Sequence, residues 1–299
     1  MEGVAIIGAG LIGRSWSLVF SRAGVPVVLY DIDPTALGTA RAWIEETLGE
    51  GAEISYEDDL ARAVAGADYV QECTAELLEV KAELFAELDR LSRLETILAS
   101  STSALLPGDF TAGMEKPGRA LGVHPVNPPH LVPLVELVPS SRTDPAVVAR
   151  VRSFMEQVGQ SPIAVHAEIG GFVLNRLQAA LVNEAVHLVA AGVADADDVD
   201  RAVRDGLGLR WAFMGPFETM DLNSDQGFMG YAGRFREMYE TLGRSLNVDA
   251  PWSDAACERI DAARRARLPL DEITARQAWR DERVRALRGL KDELNARGA

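Results

Sequence analysis

The sequence has few cysteines, fewer cations than acids and no long apolar run, and each shortage excludes a class of protein. Only Cys73 and Cys257 are present among 299 residues. Two thiols cannot form a disulfide framework or a metal-knuckle spacing, and they are ordinary for a reduced cytosol, where we expect both to be inert. The formal net charge of −15 argues against nucleic acid and an anionic membrane as partners.

Neither the apolar runs nor the first residues indicate a membrane or secretory protein. No uninterrupted apolar stretch reaches the about 18 residues that a membrane helix needs. The segment Met1–Gly8 has no basic residue and enters a strand pattern directly, so it does not read as a signal peptide. We therefore expect a cytoplasmic protein without a bound metal.

The length and the 47% hydrophobic content predict about two domains, each with its own core. In the first half, short apolar runs alternate with helical periodicity, which is typical of a parallel sheet covered by helices. From Gly170 onwards the periodicity is helical and the runs of β-branched residues end. We predict an α/β protein, with a doubly wound parallel sheet over residues 1–167 and an all-helical domain over 168–299.

The patterns give approximate bounds for the main elements. Strands are predicted at Val4–Gly8, Val25–Asp31, Ala67–Glu72, Thr96–Ser100, Ala120–His124, Leu134–Val138 and Pro162–His166. Helices are predicted at Leu11–Ala23, Leu77–Leu91, Pro145–Val158, Phe172–Ala191, Ala196–Gly206 and Phe228–Leu242. The charged tail Asp271–Arg297 is predicted to be a helix that packs on its own domain or on a partner subunit, or else lies in solvent.

A glycine loop between the first strand and the first helix predicts a dinucleotide cradle. It reads Gly8-Ala9-Gly10-Leu11-Ile12-Gly13. The first glycine permits the tight turn, the second lets the backbone approach a pyrophosphate, and the third allows the helix to pack closely on the strand. The free amides at the helix start then face the anion. The first domain is therefore expected to be of the Rossmann type.

Asp31 follows the first glycine of the loop by 23 residues, at the end of the second predicted strand. A carboxylate at this place accepts hydrogen bonds from an adenosine ribose diol and repels a 2′-phosphate, which favours NAD over NADP. The alternative is that Asp31 only caps the chain before Asp33-Pro34.

His124 and Glu136 form the candidate acid/base pair. Histidine exchanges protons near neutral pH, and His124 is at the carboxyl end of a predicted strand, where open α/β sheets place their ligands. Glu136 is a carboxylate in the otherwise apolar strand Leu134–Val138 and needs a partner if it is buried. An imidazolium at His124 would supply that partner.

Several segments together resemble the 3-hydroxyacyl-CoA dehydrogenase superfamily. They are residues 8–16, Gln71–Cys73, Ser100–Ser103, His124–Pro129, Pro133–Pro139 and Gly171–Gln178. The segment Gly208–Met220 extends the resemblance towards the L-gulonate 3-dehydrogenase and lambda-crystallin branch. The resemblance covers about residues 3–235 and implies an NAD-dependent dehydrogenase that forms a homodimer.

The resemblance also implies roles for individual residues. His124 would accept the proton of the substrate hydroxyl, and Glu136 would hold the imidazolium. Ser103 and Asn175 would donate hydrogen bonds to the reacting oxygen; taken alone, each is an ordinary polar loop or helix-start residue. Glu76 and Lys81 match positions that contact the nicotinamide half of NAD. Their alternative is a pair on the surface of a helix.

The stretch from Pro34 to Asp59 bears on the substrate. Hydroxyacyl-CoA relatives carry a long helical hairpin here with basic side chains for the CoA phosphates, whereas this stretch is short and has one arginine and no lysine. Its carboxylates are Glu45, Glu46, Glu50, Glu53, Glu57, Asp58 and Asp59. The phosphates of a CoA ester would meet these negatively charged carboxylates, so we expect the substrate to be a free small acid.

The substrate itself stays open at this point. The gulonate branch also has a longer hairpin, so the exact 3-hydroxy acid is not fixed. Arg210 is the candidate for holding a carboxylate, or it is a cation at a helix terminus. Carnitine, a short 3-hydroxyacyl-CoA and a non-catalytic NAD-binding protein are the alternatives; Trp211, Phe213 and Phe217 are candidates for a carnitine cage.

Overall fold

The chain forms an α/β unit followed by a helical unit. The computed structural model describes residues 1, 3–48, 53–246 and 252–297, so Glu50 lies outside the described residues. The two compact units are Met1–Arg176 and Leu177–Ala299. The predicted fold class is confirmed, and the predicted division after residue 167 stays a prediction.

The first unit contains one eight-stranded sheet. Its strands are β1 (Val4–Ile7), β2 (Val27–Tyr30), β3 (Ile54–Glu57), β4 (Tyr69–Glu72), β5 (Ile97–Ser100), β6 (Ala120–Pro125), β7 (Leu134–Pro139) and β8 (Ser161–Ala164). Their order is β3-β2-β1-β4-β5-β6-β7-β8, and all neighbours are parallel except β6 and β7. The central strands β1, β4, β5 and β6 are buried along their whole length, because helices cover both faces of a parallel sheet.

Helices connect these strands. They are α1 (Leu11–Arg22), α2 (Pro34–Leu48), α3 (Leu60–Val64), α4 (Leu78–Leu91), α5 (Pro107–Phe110) and α6 (Pro145–Gln157), with a 3₁₀ turn at Pro117–Arg119. The core on the α1 side contains stacked aromatic rings: Phe20 lies 5.2 Å from Trp16 and 5.4 Å from Phe154, measured between ring centroids. This packing fixes α1 on the sheet, with its first turn at the carboxyl edge of β1.

The sequence patterns missed or misplaced some elements of the first unit. The helices α2, α3 and α5 and the strand β3 were not predicted, because each is short or carries many charged or small residues. The second strand ends at Tyr30, so Asp31 follows it, and β8 ends at Ala164 instead of His166. A strand keeps to the residues that pair with its neighbour, and β8 pairs with β7 only over Ser161–Ala164.

The second unit is helical. Its helices are α7 (Leu174–Ala190, which begins in the first unit), α8 (Ala196–Arg201), α9 (Gly208–Trp211), α10 (Pro216–Asp221), α11 (Gly227–Ser245), α12 (Asp254–Arg267) and α13 (Ile273–Arg297). The helix predicted at Ala196–Gly206 changes to a π-helical turn at Ala202, where Gly206 and Gly208 weaken the regular α-helical preference. None of the residues of α13 is buried. Among the described residues, no helix has the length and apolar composition needed to cross a bilayer.

Candidate active site at the carboxyl end of the sheet

The glycine loop has the steric form that the sequence predicted. Gly8 has a φ of +107°, and a Cβ there would lie 2.8 Å from the carbonyl oxygen of Cys73. A Cβ on Gly13 would lie 1.7 Å from the carbonyl oxygen of Gly8, so this position admits only glycine. A Cβ on Gly10 would meet nothing within 4 Å, which leaves open space above the loop.

The start of α1 is available to an anion. Gly10 is the N-cap of α1 and its first turn has no side-chain cap, while Leu11 is exposed and Ile12 packs partly against the core. The first amides of a helix carry partial positive charge and have no partner within the helix. Open space above Gly10 together with these amides fits the pyrophosphate of a dinucleotide.

Asp31 connects the glycine loop to the end of β2. Its Oδ2 accepts a hydrogen bond from the Ala9 amide at 2.7 Å, and its Oδ1 accepts one from the Asp33 amide at 2.9 Å. At the start of α2 it is Asp33, and not Asp31, whose Oδ1 accepts a hydrogen bond from the Thr35 amide. Asp31 is therefore more than a cap, because it ties the loop to the neighbouring strand, and its half-exposed carboxylate has lone pairs left for a ribose diol.

A second group of side chains lies beside the first turn of α1. The Arg14 guanidinium is 4.6 Å from the centre of the Trp43 ring, and its buried Nε has no hydrogen-bond partner. His130, to which sequence reasoning assigned no role, contacts the edge of Trp43 and shares a short hydrogen bond with the Ser15 hydroxyl. This group joins the β6–β7 connection to α1 and α2.

His124 and Glu136 form a buried pair. The antiparallel register places them directly opposite each other on β6 and β7, and His124 Nδ1 lies 2.7 Å from Glu136 Oε2. The exposed fraction of the side chain is 6% for His124 and 0% for Glu136. A carboxylate on Nδ1 fixes the orientation of the ring and leaves Nε2 as the nitrogen that can exchange a proton with a ligand.

The other oxygen of Glu136 accepts from the start of α7. Its Oε1 receives hydrogen bonds from the Val173 and Leu174 amides at 2.8 and 3.0 Å. Burial raises the pKa of Glu136, but the His124 hydrogen bond and these two amides outweigh it, so the pKa lies below the ordinary value. Glu136 is thus held as a carboxylate with three donors.

The helix predicted from Phe172 begins only at Leu174, and the turn that precedes it completes this arrangement. Gly171 and Phe172 both have positive φ, +75° and +51°, which for phenylalanine is an unfavourable conformation. The turn aims the two amides at Glu136 and places the buried Phe172 ring edge-on against the imidazole, with centroids 5.5 Å apart. In the sequence, this turn is indicated by a glycine directly before an aromatic residue at the start of a predicted helix.

Ser103 and Asn175 lie next to each other. The Asn175 Nδ2 donates a hydrogen bond to the Ser103 carbonyl oxygen at 2.9 Å, and Ser103 itself is exposed. Asn175 directly follows the segment that binds Glu136. The two residues that the resemblance implies for the reacting oxygen are therefore connected to the His124–Glu136 pair through residues 173–175.

Glu76 and Lys81 lie 3.5 Å apart, but not on a helix surface, because Lys81 is buried and Glu76 precedes α4. The Lys81 side chain is 1% exposed, and its Nζ lies 2.8 and 2.9 Å from the two carboxylate oxygens of Glu72. Glu76 Oε1 accepts from the Thr102 hydroxyl and from the Ser103 and Ala104 amides. The buried Glu72 was not identified from the sequence, because its strand also contains Gln71 and does not read as an apolar run like that around Glu136.

Arg210 lies on α9 in the second unit, where it is exposed. It is the last basic residue of a helix of four residues, a place where a cation interacts favourably with the helix carbonyls. The role of Arg210 as a carboxylate ligand stays a prediction.

These features define a dinucleotide-binding protein with a histidine–carboxylate pair at the carboxyl edge of its sheet. The sequence model of the 3-hydroxyacyl-CoA dehydrogenase NAD binding domain matches residues 3–169, and that of the 3-hydroxyacyl-CoA dehydrogenase C-terminal domain matches residues 171–259. The chain belongs to the 3-hydroxyacyl-CoA dehydrogenase family, and its cofactor is NAD.

Curated relatives and solved structures agree with this assignment. A lambda-crystallin homolog of Bos taurus is 44% identical and covers 98% of this chain and 96% of its own. An L-carnitine dehydrogenase of Streptomyces coelicolor is 39% identical, covering 86% of this chain and 82% of its own. A solved 5-formyl-3-hydroxy-2-methylpyridine 4-carboxylic acid 5-dehydrogenase, an NAD+ dependent dismutase, is 29% identical with a TM-score of 0.85, covering 98% of this chain and 99% of its own. The 3-hydroxyacyl-CoA dehydrogenase of Archaeoglobus fulgidus is 32% identical with a TM-score of 0.72, covering 88% of each chain.

Proposed function

We propose that this protein oxidises a small 3-hydroxy acid, of the kind that L-gulonate represents, to the 3-keto acid with NAD. The observation that carries the proposal is the buried contact of 2.7 Å between His124 Nδ1 and Glu136 Oε2. A histidine held this way beside a dinucleotide cradle suits the removal of a hydroxyl proton during hydride transfer.

The proposed chemistry divides the work among four side chains. His124 accepts the hydroxyl proton on Nε2, and the charge of the resulting imidazolium is balanced by Glu136. Ser103 and Asn175 hold the reacting oxygen, which orients the carbinol carbon. The glycine loop and Asp31 would hold NAD, which would supply the acceptor for the hydride of that carbon. The alcohol loses one hydride and one proton, and both are accounted for.

The charge of the α2–β3 region supports a free acid over a CoA ester. Arg41 donates to Glu45 at 2.8 Å, so the one cation of this stretch is already paired. The next cation along the chain, Arg62, is shared by Glu57, Asp58 and Asp59. A CoA phosphate there would find carboxylates and no available cation among the described residues. The structural neighbour with the TM-score of 0.85 is named for a substrate that is itself a carboxylic acid.

We propose Arg210 as the residue that binds the substrate carboxylate, since a guanidinium binds a carboxylate through two hydrogen bonds. We also propose that the protein is a cytoplasmic homodimer without nucleic-acid or metal partners, and that the helical unit supplies the dimer contacts. Exposed aromatic and aliphatic side chains on α9 to α11 offer apolar surface for such an interface.

L-Carnitine is the second candidate substrate. Trp211, Phe213 and Phe217 are 40%, 51% and 73% exposed, so their faces are accessible to a quaternary ammonium. Several curated relatives are L-carnitine dehydrogenases at 37–39% identity. A short 3-hydroxyacyl-CoA is a further alternative, and a non-catalytic, crystallin-like protein is the alternative from another class.

NADH formation across a panel of alcohols tests the proposal. The panel contains L-gulonate, L-3-hydroxybutyrate, L-carnitine and 3-hydroxybutyryl-CoA, each with NAD and with NADP. We expect turnover of a free hydroxy acid with NAD. Turnover of the CoA ester alone would contradict the charge argument, and turnover of carnitine alone would favour the second candidate. Silence on the whole panel would leave the non-catalytic alternative.

A further inference from the structure

Glu72 is a completely buried carboxylate to which no role has been assigned so far. It lies at the end of β4, and its side chain is 0% exposed. Its Oε2 accepts from the Ser100 hydroxyl at 2.6 Å, and its Oε1 accepts from the Thr74 amide and hydroxyl at 2.6 and 2.7 Å. Lys81 Nζ contacts both oxygens. Every oxygen of Glu72 is therefore satisfied from within the protein, and its side chain has no exposed surface.

Lys81 connects Glu72 to Glu76, which binds the loop that follows β5. Its ammonium is buried, and it lies 3.5 Å from Glu76 Oε2 as well as 2.8 Å from Glu72. One cation thus stands between two carboxylates, of which Glu72 is buried and Glu76 is 41% exposed. A buried ammonium needs a full set of partners, so removing one carboxylate changes how it uses the other.

Glu76 in turn fixes the loop of residues 102–104. Its Oε1 accepts from the Thr102 hydroxyl at 2.6 Å, the Ser103 amide at 2.7 Å and the Ala104 amide at 3.0 Å. Burial raises the pKa of Glu76, but the Thr102 hydroxyl, Lys81 and the two amides outweigh it and leave the pKa below its ordinary value. The carbonyl of Ser103 receives the hydrogen bond from Asn175. Both residues proposed for the reacting oxygen are held by this loop.

We propose that Glu72 is a positioning residue for the dehydrogenase reaction: it holds the Lys81 ammonium away from Glu76 Oε1, so that this oxygen stays bound to the loop that carries Ser103. The inference rests on the proposed function, because it takes Ser103 and Asn175 as the residues that hold the reacting oxygen.

The consequence of losing the charge on Glu72 follows from the contacts. Among the described residues, Glu76 is then the carboxylate that remains in contact with the Lys81 ammonium, and the contact of 3.5 Å shortens at the expense of the three loop hydrogen bonds. Ser103 then loses its backbone anchor, although it makes no contact with Glu72. The expected defect is in the chemical step, since the oxygen is held less well while the glycine cradle is untouched.

The experiment compares Glu72→Gln with Asp89→Asn. Asp89 forms the matched control: its side chain is 4% exposed, it pairs with Arg119 at 2.8 Å, and it accepts from two backbone amides. Its partners include none of the proposed site residues. Both variants replace a buried, paired carboxylate by the isosteric amide, and we expect both to lower Tm.

Turnover separates the two variants. We expect Glu72→Gln to lower kcat by about 10- to 150-fold, the range for one charge-assisted hydrogen bond. We expect Asp89→Asn to keep the wild-type kcat when it is assayed at a temperature well below its own Tm. The kinetic isotope effect with a substrate deuterated at the carbinol carbon should rise in Glu72→Gln alone, because hydride transfer becomes more rate-limiting.

A double variant of Glu72 and Glu76 tests whether Glu72 acts through Lys81 and Glu76. If Glu72 acts through Lys81 and Glu76, the effects of Glu72→Gln and Glu76→Gln on kcat are strongly non-additive in the double variant. If Glu72→Gln does not fold, Thr74→Val removes the hydroxyl hydrogen bond to Glu72 Oε1 and should give a smaller defect of the same kind. Unchanged kcat in the folded variant, a fall that matches Asp89→Asn, or additive effects would overturn the inference. A wild type that turns over nothing would instead show that the proposed function has failed.

Discussion

Replacing Glu136 by glutamine tests the arrangement of the catalytic pair. Glu136 uses one oxygen for His124 Nδ1 at 2.7 Å and the other for the Val173 and Leu174 amides. All three partners approach as donors when His124 carries its proton on Nδ1. A glutamine side chain has only one oxygen, so its NH2 group must face either the two amides or the imidazole.

The orientation with the NH2 group facing the imidazole costs less, because the glutamine oxygen then still accepts from both amides. This orientation places His124 in the wrong tautomer. With the glutamine oxygen on the two amides, the NH2 group donates to His124 Nδ1 and leaves the proton on Nε2. That nitrogen then cannot accept the hydroxyl proton. The negative charge that balances an imidazolium is lost as well. A charge-assisted hydrogen bond contributes about 1.5–3 kcal/mol, which corresponds to about 10- to 150-fold in rate, and the tautomer adds to this loss.

The assay is kcat for NADH formation with the substrate that the panel identifies, alongside the Kd of NADH by fluorescence titration. We expect kcat of Glu136→Gln to fall by at least about tenfold while the Kd of NADH stays close to the wild-type value. Far-ultraviolet circular dichroism serves as the control for folding. A folded variant whose kcat stays within about twofold of the wild type would refute the pairing argument.

Four further predictions follow from the described contacts. Asp31→Ala should weaken NAD binding and relax the discrimination against NADP in parallel titrations; an unchanged preference would mean that Asp31 only anchors the loop. Gly13→Ala should abolish NADH binding or folding, because the added Cβ would lie 1.7 Å from a carbonyl oxygen. Burial raises the pKa of the Cys73 thiol to about 12, so iodoacetamide at mildly alkaline pH should label the exposed Cys257 alone, as mass spectrometry of the digested protein would show. The pKa of Asp89 is lowered: burial raises it, but its arginine partner and two amides outweigh burial. Its stabilising effect is present above the unfolded pKa of about 3.9 and is lost as the pH falls through the folded value, so the Tm values of wild type and Asp89→Asn should converge in acid.

The cofactor cradle was predictable because its constraints are local. A glycine that must have a positive φ and another that touches a neighbouring carbonyl are written directly in the spacing of the loop, and Gly8 and Gly13 behave as expected. The opposition of His124 and Glu136 was also within reach, because twelve residues suffice for two antiparallel strands and their connection. The sequence did not show that the strands β6 and β7 are antiparallel. This antiparallel pairing places the two side chains opposite each other.

The parts that were missed depend on contacts between distant segments. The sequence left open whether Lys81 is a surface residue, since a lysine on an amphipathic helix is usually solvated, and only the sheet places the buried Glu72 next to it. The anchoring of Ser103 by Glu76 joins residues 27 apart, and the turn at Phe172 contacts Glu136 from 37 residues away. Helical propensity and apolar spacing carry no information about such hydrogen bonds. The strand β3 was missed because its four residues contain only two large apolar side chains, beside a run of acids.

The most direct test of the central claim is the effect of His124→Ala on turnover and on cofactor binding, measured with the same preparation. His124 is proposed to transfer the proton, whereas the glycine loop and Asp31 are proposed to bind NAD. We therefore expect kcat with the free hydroxy acid to be almost abolished while the Kd of NADH stays near that of the wild type. A variant that retains turnover, or that loses turnover and NADH affinity together, would contradict the account.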